Sequence, residues 1–347
     1  MNKNNVLTRF NAPQVICIGE ALMDRLGPLG GNPLHDQPFY DHLGGAPANV
    51  ACGLAKLGTS VAFLGRLGKD SIGKSFQDLF NLRGINLNGL QIDKDRPSRI
   101  VLVRRDSSGE RSFQGFVGDQ GKGFADQALS SNTCQAFWNK MSGKPQSILI
   151  GTIPLATKDS QETLLWCVNK AIEDDIYIVL DINWRSTFWD VNNSPESGPR
   201  QNELLKIEPL IQQASLLKLA KEEANWFFDC EDPKWISSSL SRHPDVVITD
   251  GSNPLRWFVG GFSGQIDAIS PNLVVDTTGA GDAFTAGLIN QLLRCSFKPR
   301  AYEDAADAIY FGAACGALVC TGAGGIDPQP TYADVLACLS GKTGGEI

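Results

Sequence analysis

The residues whose order most directly implies chemistry lie in Val274-Val275-Asp276-Thr277-Thr278-Gly279-Ala280-Gly281-Asp282-Ala283-Phe284. A strand-like approach meets Gly279, Ala280 and Gly281, and a helix follows with Phe284, Leu288 and Leu292 on its core face. Small residues at a helix start leave the first backbone amides open to a ligand. Those amides and the positive end of the helix dipole together make an anion site. Asp282, in the first turn, sets a carboxylate beside that anion. A base next to bound phosphate is what phosphoryl transfer to a hydroxyl requires: the carboxylate takes the proton while the amides stabilise the charge. An ordinary capping Asp would not need Gly-Ala-Gly in front of it.

A second segment, Gly44-Gly45-Ala46-Pro47-Ala48-Asn49-Val50-Ala51-Cys52, runs on to Leu57-Gly58. Pro47 near a helix start, a stripe of Val50, Leu54 and Leu57, and Gly58 as the C-terminal cap describe a short helix. The glycine pair lets a hydroxylated ligand approach the backbone, and Asn49 can both donate and accept. A third string, Gly68-Lys69-Asp70-Ser71-Ile72-Gly73-Lys74-Ser75, has the spacing of a Walker A loop. Gly65-Arg66-Leu67 separates it from the strand-like Val61–Leu64, so the required strand-to-loop context is missing. No G-x-G-x-x-G follows a strand, which leaves a dinucleotide enzyme without support.

Elements to hold these residues are legible along the chain. Val15–Gly19, Ser147–Gly151, Ile176–Asp181, Ala214–Leu219 and Val246–Thr249 read as buried strands. Between them lie amphipathic stretches such as Gln161–Ile172, with Leu164, Leu165, Val168 and Ile172 on one face. Alternation of this kind predicts an α/β fold, a mostly parallel sheet with helices on both faces, in a single domain over about residues 13–340. Two stretches break the rhythm. Residues 26–43 are rich in Gly, Pro, Asp and His, and residues 98–118 alternate as a hairpin around Asp106-Ser107-Ser108-Gly109. They predict a small β lid over one edge of the sheet. Asn192–Pro199 reads as a solvent loop, and Phe311–Cys320 as a buried helix.

Composition narrows the classes further. The 347 residues are 42% hydrophobic, with 31 Lys plus Arg against 38 Asp plus Glu, a net charge of −7. That balance offers no broad basic face for nucleic acid or anionic lipid. No stretch reads as a membrane span or a targeting segment. Nine scattered cysteines with no C-x-x-C, and only three histidines, argue for reduced thiols in the cytoplasm and against a zinc centre.

Taken together, the two glycine segments resemble the signatures of the ribokinase/PfkB family of carbohydrate kinases. Gly44–Ala51, with Gly58 and Gly68, resembles the first, and Asp276–Asp282, with Ala286-Gly287-Leu288, the second. The likeness runs from about Gly19 to Thr331. It is strongest to fructokinases, in Gly19-Glu20 with Asp24, Asp181-Ile182-Asn183-Trp184-Arg185, and Ala314-Cys315-Gly316-Ala317. The Walker-like string then reads as a family turn. The resemblance implies a Rossmann-like domain with a β-sheet lid, often used for homodimerisation, and transfer of the γ-phosphate of ATP to a sugar hydroxyl. It implies Asp282 as base, Gly279, Ala280 and Gly281 as anion hole, and Asp24, Gly44, Gly45, Asn49 and Arg185 around the sugar. Lys218, Thr249, Gly251, Thr321 and Gly324 would serve the nucleotide. Glu223 would order Mg2+ through water, and carbonyls near Asp276 and Thr278 would bind K+.

Fructose is the acceptor this resemblance favours. Ribose, 2-keto-3-deoxygluconate or a nucleoside are alternatives in the same family, and a catalytically silent sugar-binding relative is another. A nucleoside would want aromatic stacking, which residues 24–50 offer only in Phe39 and Tyr40. The chain departs from the pattern at Ala220, where the family has Asn, at Thr249-Asp250-Gly251, and at Ser98-Arg99 and Gly115–Gly123. Arg99 or Lys122 could meet an acidic sugar, although solvated surface is the simpler reading of both.

Overall fold

The computed structural model describes residues 9–105, 111–271 and 273–343. The chain forms β1 (Val15–Ile18), β2 (Leu22–Leu29), β3 (Tyr40–Gly44), α1 (Ala46–Lys56), β4 (Val61–Leu64) and α2 (Ser71–Leu82). After the paired strands β5 (Ile100–Arg105) and β6 (Arg111–Val117) it alternates regularly. There follow β7 (Ser147–Ile150), α3 (Lys158–Glu173), β8 (Tyr177–Asp181), α4 (Gln201–Gln213), β9 (Leu216–Ala220) and β10 (Asp245–Asp250). The antiparallel β11 (Asn253–Val259) and β12 (Phe262–Ile266) precede three helices, α5 (Ala280–Arg294), α6 (Tyr302–Val319) and α7 (Tyr332–Thr343).

The large sheet has the order β12-β11-β10-β9-β8-β7-β1-β4, parallel from β10 to β4. Its central strands are apolar on both faces, which a sheet covered on both sides demands. In β1, Val15 and Cys17 join the core under α1, α5 and α6, while Ile16 and Ile18 join the core under α3 and α4. That is the period of two expressed as two separate cores. The α/β architecture matches the sequence reading, and each of the five expected strands is present within two residues of its expected start.

One helix face differs from expectation. In α3 the buried line is Leu164, Cys167, Val168 and Ala171, and Ile172 is 36% exposed. Cys167 and Ala171 take the inner positions beside Leu164 and Val168, which leaves Ile172 outward. The expected stripes of α1 (Val50, Leu54, Leu57) and α5 (Phe284, Leu288, Leu292) are buried as predicted.

A second, four-stranded sheet has the order β3-β2-β5-β6. It contains both stretches that broke the β-α rhythm, but β2 begins at Leu22, ahead of the expected boundary at 26, because Leu22 and Leu26 both face inward. Strands β5 and β6 pair antiparallel, with Leu102 opposite Gly115 and Val103 opposite Phe113. The expected turn at 106–109 lies outside the described residues. All nine cysteines are unpaired thiols. No described helix is long and apolar enough to cross a membrane.

Candidate active site

Residues following the carboxyl ends of parallel strands converge in two adjoining clefts, where open α/β sheets place their ligands. The first, of about 450 Å³, is lined by Glu20 after β1, Ile153 after β7, Asn183 and Arg185 after β8, and Lys218 of β9. Across from them stand Asp24 of β2, Gly45, Ala46 and Asn49 at the start of α1, and Thr277–Asp282. The second, of about 390 Å³, is lined by Thr249, Gly251, Asn253, Ile269, Pro271 and Ala317, with largely apolar walls. Thr277, Ala280 and Gly281 belong to both, so the start of α5 is the wall between them.

That wall is built by backbone constraint. Gly279 takes φ +76° at the N-cap of α5 and has no side chain to satisfy the first amides. A Cβ there would stand 2.6 Å from the Cα of Gly325, so the position excludes any larger residue. Gly45 plays the same part at α1, with φ +101° and space only for hydrogen on the side facing the Glu20 carbonyl. Both helices therefore turn N-termini without a capping side chain of their own toward one volume, and in α1 the Ala46 amide is met by Glu20.

The carboxylate of Asp282 accepts a 2.7 Å hydrogen bond from Asn49 Nδ2, which ties the two glycine segments together. Burial pushes Asp282 up to about 6. The Asn49 bond opposes this, the Asp181 charge adds to it, and Lys218 and Arg185 draw it back. A carboxylate near pH 6 is basic enough to accept a hydroxyl proton and still ionised at neutral pH. Lys218 Nζ lies 3.2 Å from Asp181 Oδ1, and Thr285 donates to the other Asp181 oxygen at 3.0 Å. Burial works to lower Lys218, yet Asp181, Glu223 and Asp282 together hold it above its ordinary value. It therefore carries a fixed positive charge next to Gly281.

Glu20 is a cleft residue that the sequence reading named only as part of a family string. One oxygen accepts from Ala46 N at 3.2 Å, and the other is buried with no hydrogen-bond partner among the described residues. Burial pushes this carboxyl up to about 7. Phe113 and Phe188 also line the first cleft, giving it aromatic surface that residues 24–50 did not predict. Neither has a local sequence signal, since both arrive from segments distant from the glycine motifs.

Of the expected site residues, Asp282, Gly279, Ala280, Gly281, Asp24, Gly45, Asn49 and Arg185 come together in the first cleft. Gly44 sits just behind it in β3, against Asp24. Thr249 and Gly251 line the second cleft together. Four residues expected at the nucleotide or its metal lie outside the second cleft. Lys218 faces the first cleft, because Asp181 on the adjacent strand draws its ammonium there. Glu223 lines neither cleft, and its oxygens accept from Ala220 N and Trp184 N at 2.7 Å each. Thr321 is exposed outside both clefts, and Gly324 is folded inward, donating to Asp276 Oδ2 at 2.8 Å with its α-carbon against His42. Arg99 does not meet the cleft as a free cation either, because it is buried in an ion pair with Asp126. Lys122 is 63% exposed and pairs loosely with Asp95, a solvated position. Asn192–Pro199 is irregular, but it also folds back on the site, with Pro195 on the cleft and the Ser197 carbonyl on Trp184.

Among the described residues no three His, Cys, Asp or Glu side chains converge as a protein metal cage would need. What the site offers is Asp181 and Glu223 near Lys218, a donor set suited to a hard cation held mainly by water and phosphate oxygens. The Asp276 carboxylate accepts from Thr278 N and Gly324 N at 2.8 Å each, which fixes the backbone around the first turn of α5.

The Walker-like string is a strand-turn-helix connection. Asp70 caps α2 through Gly73 N, and Lys74 points to solvent, paired with Asp78. Replacing Lys74 by Ala is expected to leave turnover within about twofold, as surface changes do. A large loss of phosphoryl transfer in that variant would move the chemistry to this loop.

The family model described as pfkB family carbohydrate kinase matches residues 12–332. The chain is 31% identical over 335 residues to a protein of Arabidopsis thaliana named "Probable fructokinase-6, chloroplastic", covering 94% of this chain and 83% of that one. It is 29% identical to fructokinase-2 of Oryza sativa subsp. japonica, covering 94% of each. Among solved structures it is similar to a fructokinase of Xylella fastidiosa with bound ATP, with TM-score 0.77, 23% identity, and 95% of this chain and 98% of that one covered. A fructokinase of Vibrio cholerae O395 bound to fructose, ADP and calcium gives TM-score 0.74 at 24% identity, covering 94% and 98%.

Proposed function

The chain belongs to the pfkB family of carbohydrate kinases, and from that premise we propose that it moves the γ-phosphoryl group of ATP onto a hydroxyl of fructose, giving fructose 6-phosphate and ADP. The observation that carries this reading is the placement of Asp282 in the first cleft, held by Asn49, in the turn of α5 that walls off the second. The apolar second cleft suits an adenine ring, and the phosphates would then cross Gly279–Gly281 toward the first cleft. The acceptor hydroxyl gives its proton to Asp282 as its oxygen bonds to the γ-phosphorus. The bond from that phosphorus to the departing ADP breaks, and the amides of α5 with Lys218 stabilise the charge that develops. Fructose is favoured by the fructokinase names of the relatives.

Mg2+ would arrive with ATP and be steadied by Asp181 and Glu223 through water. K+ would sit at the carbonyls near Asp276 and Thr278, where it would firm the same turn. The small sheet would act as a lid that closes on the sugar and keeps water from the phosphate. Its open edges, β3 and β6, are where a homodimer through the lid would form. Nine free thiols suit a reducing compartment, the cytosol.

A second reading is favoured by Phe113 and Phe188: an acceptor sugar that carries a planar ring, as a nucleoside does, would stack on them. ADP release separates the readings. The protein is given ATP, Mg2+ and either K+ or Na+, with fructose, ribose, adenosine, 2-keto-3-deoxygluconate or fructose phosphates. Turnover is expected with fructose, faster in K+, and low without sugar. Turnover with adenosine alone would transfer the assignment to a nucleoside. No turnover with any acceptor, in protein that still binds ATP, would favour a silent sugar-binding relative.

A further inference from the structure

The two stretches that depart from the fructokinase pattern, Ser98-Arg99 and Gly115–Gly123, meet in space. Arg99 is 3% exposed and grips Asp126 with two bonds, Nε to Oδ2 at 2.8 Å and Nη2 to Oδ1 at 3.0 Å. Its guanidinium carbon stands 4.6 Å from the ring centre of Phe116, 4.4 Å from Phe124 and 4.8 Å from Phe188. Phe116 belongs to β6 of the small sheet, and Phe188 to the short helix Ser186–Trp189 that walls the first cleft. Those two rings also meet edge to face at 4.9 Å. On the other side, Ser98 donates to Asp70 through its amide at 2.7 Å and its hydroxyl at 2.9 Å. The foot of β5 is thus pinned by two carboxylates of the main body.

A buried ion pair is an expensive way to gain stability, and well-packed apolar residues would serve that purpose at least as well. What the pair supplies is geometry. The planar fork fixes the guanidinium plane, and the desolvated cation then holds the surrounding rings in one arrangement. We propose that Arg99 is a positioning residue that, clamped by Asp126, fixes Phe188 and so sets the shape of the acceptor cleft and the acceptors it admits. This rests on the reading of that cleft as the acceptor site.

Removing Arg99 alone would strand Asp126, so the test variant is R99M/D126N, with Arg99→Lys and Phe188→Leu beside it. The acceptor KM is expected to rise about tenfold in R99M/D126N while the nucleotide KM is unchanged and kcat stays within about threefold. Phe188→Leu should give a similar rise and add little in the double background, because both act on one wall. Arg99→Lys, which keeps the charge and loses the fork, should fall between. A fluorine label on Phe188 reads the clamp without any acceptor: a single sharp signal in wild type should broaden or split in R99M/D126N. An unchanged fluorine signal, or an unchanged acceptor KM with only a lower Tm, overturns the proposal. Should R99M/D126N not fold, an acceptor KM at the wild-type value in both Arg99→Lys and Phe188→Leu overturns it equally. Wild-type protein with no acceptor-dependent turnover but the expected fluorine response would instead mark the acceptor reading as the failure.

Discussion

Asp282→Asn is expected to lower kcat by about 10²–10⁴-fold, the range a positioned general base contributes, with the nucleotide KM within about threefold of wild type. The substitution keeps size and the Asn49 contact but removes the proton acceptor. In wild type, kcat should be flat above about pH 6 and fall tenfold per unit below it, because Asp282, raised to about 6, must be ionised to act. The variant should lose that limb. Stability supplies an independent readout of opposite sign. The folded value of about 6 lies above the ordinary 3.8, so ionising Asp282 costs stability. That cost grows from about pH 4 to pH 6 and is full at neutral pH. Asp282→Asn should therefore be more stable than wild type at pH 8, by about 1–3 kcal/mol, with the gap closing near pH 4. Thermal melts at pH 4.5 and 8, beside kcat across the same range, test both. A variant that loses activity and stability together at pH 8 would mean that Asp282 holds the fold rather than the proton.

The parts of this site that the sequence exposes are those whose chemistry is local. Gly279, Ala280, Gly281 and Asp282 are consecutive, so the proposed anion site and base can be read before any fold is known. Asn49 is legible for the same reason, at the start of a capped helix. Lys218 illustrates the limit. Its place on β9 can be read from the sequence, but its direction is set by Asp181 on the next strand, and strand register across a parallel sheet has no local signal. Glu223 was legible as an acidic residue after a strand, whereas its capture by the amides of Ala220 and Trp184 depends on how two loops meet. Phe188 and Arg99 belong to the same class, separated along the chain and joined only by packing. The alternation of β and α motifs was enough for the large sheet. The inward face of α3 was not fixed by its large apolar residues, since Cys167 and Ala171 are buried and Ile172 is not.

Gly279→Ala is expected to cost about 10²–10³-fold in kcat, and the comparison that gives this meaning is Gly281→Ala. At Gly279 two penalties combine. A φ of +76° is unfavourable for any residue with a Cβ, by about 1–2 kcal/mol. That Cβ would also stand 2.6 Å from Gly325 Cα, backbone that has no rotamer to escape into. The loop carrying Gly325 cannot yield easily, because Gly324 N is bonded to Asp276 at 2.8 Å and Gly325 O accepts from Gln329 at 2.9 Å. The first turn of α5 must shift instead, and the amides proposed to face the transferring phosphate would shift with it. A displacement near 1 Å, or one lost donor, is worth about 10²–10³-fold. At Gly281 the nearest obstacle is the end of the Lys218 side chain, 3.1 Å away, and not backbone, and the residue lies in ordinary helical conformation. Gly281→Ala should therefore lose about tenfold or less. If the two variants lose activity equally, the cost lies in crowding the phosphate path and not in the strained turn. If Gly281→Ala is the worse of the two, contact with Lys218 outweighs the amide geometry, and the charge stabilisation assigned to α5 belongs mainly to that ammonium.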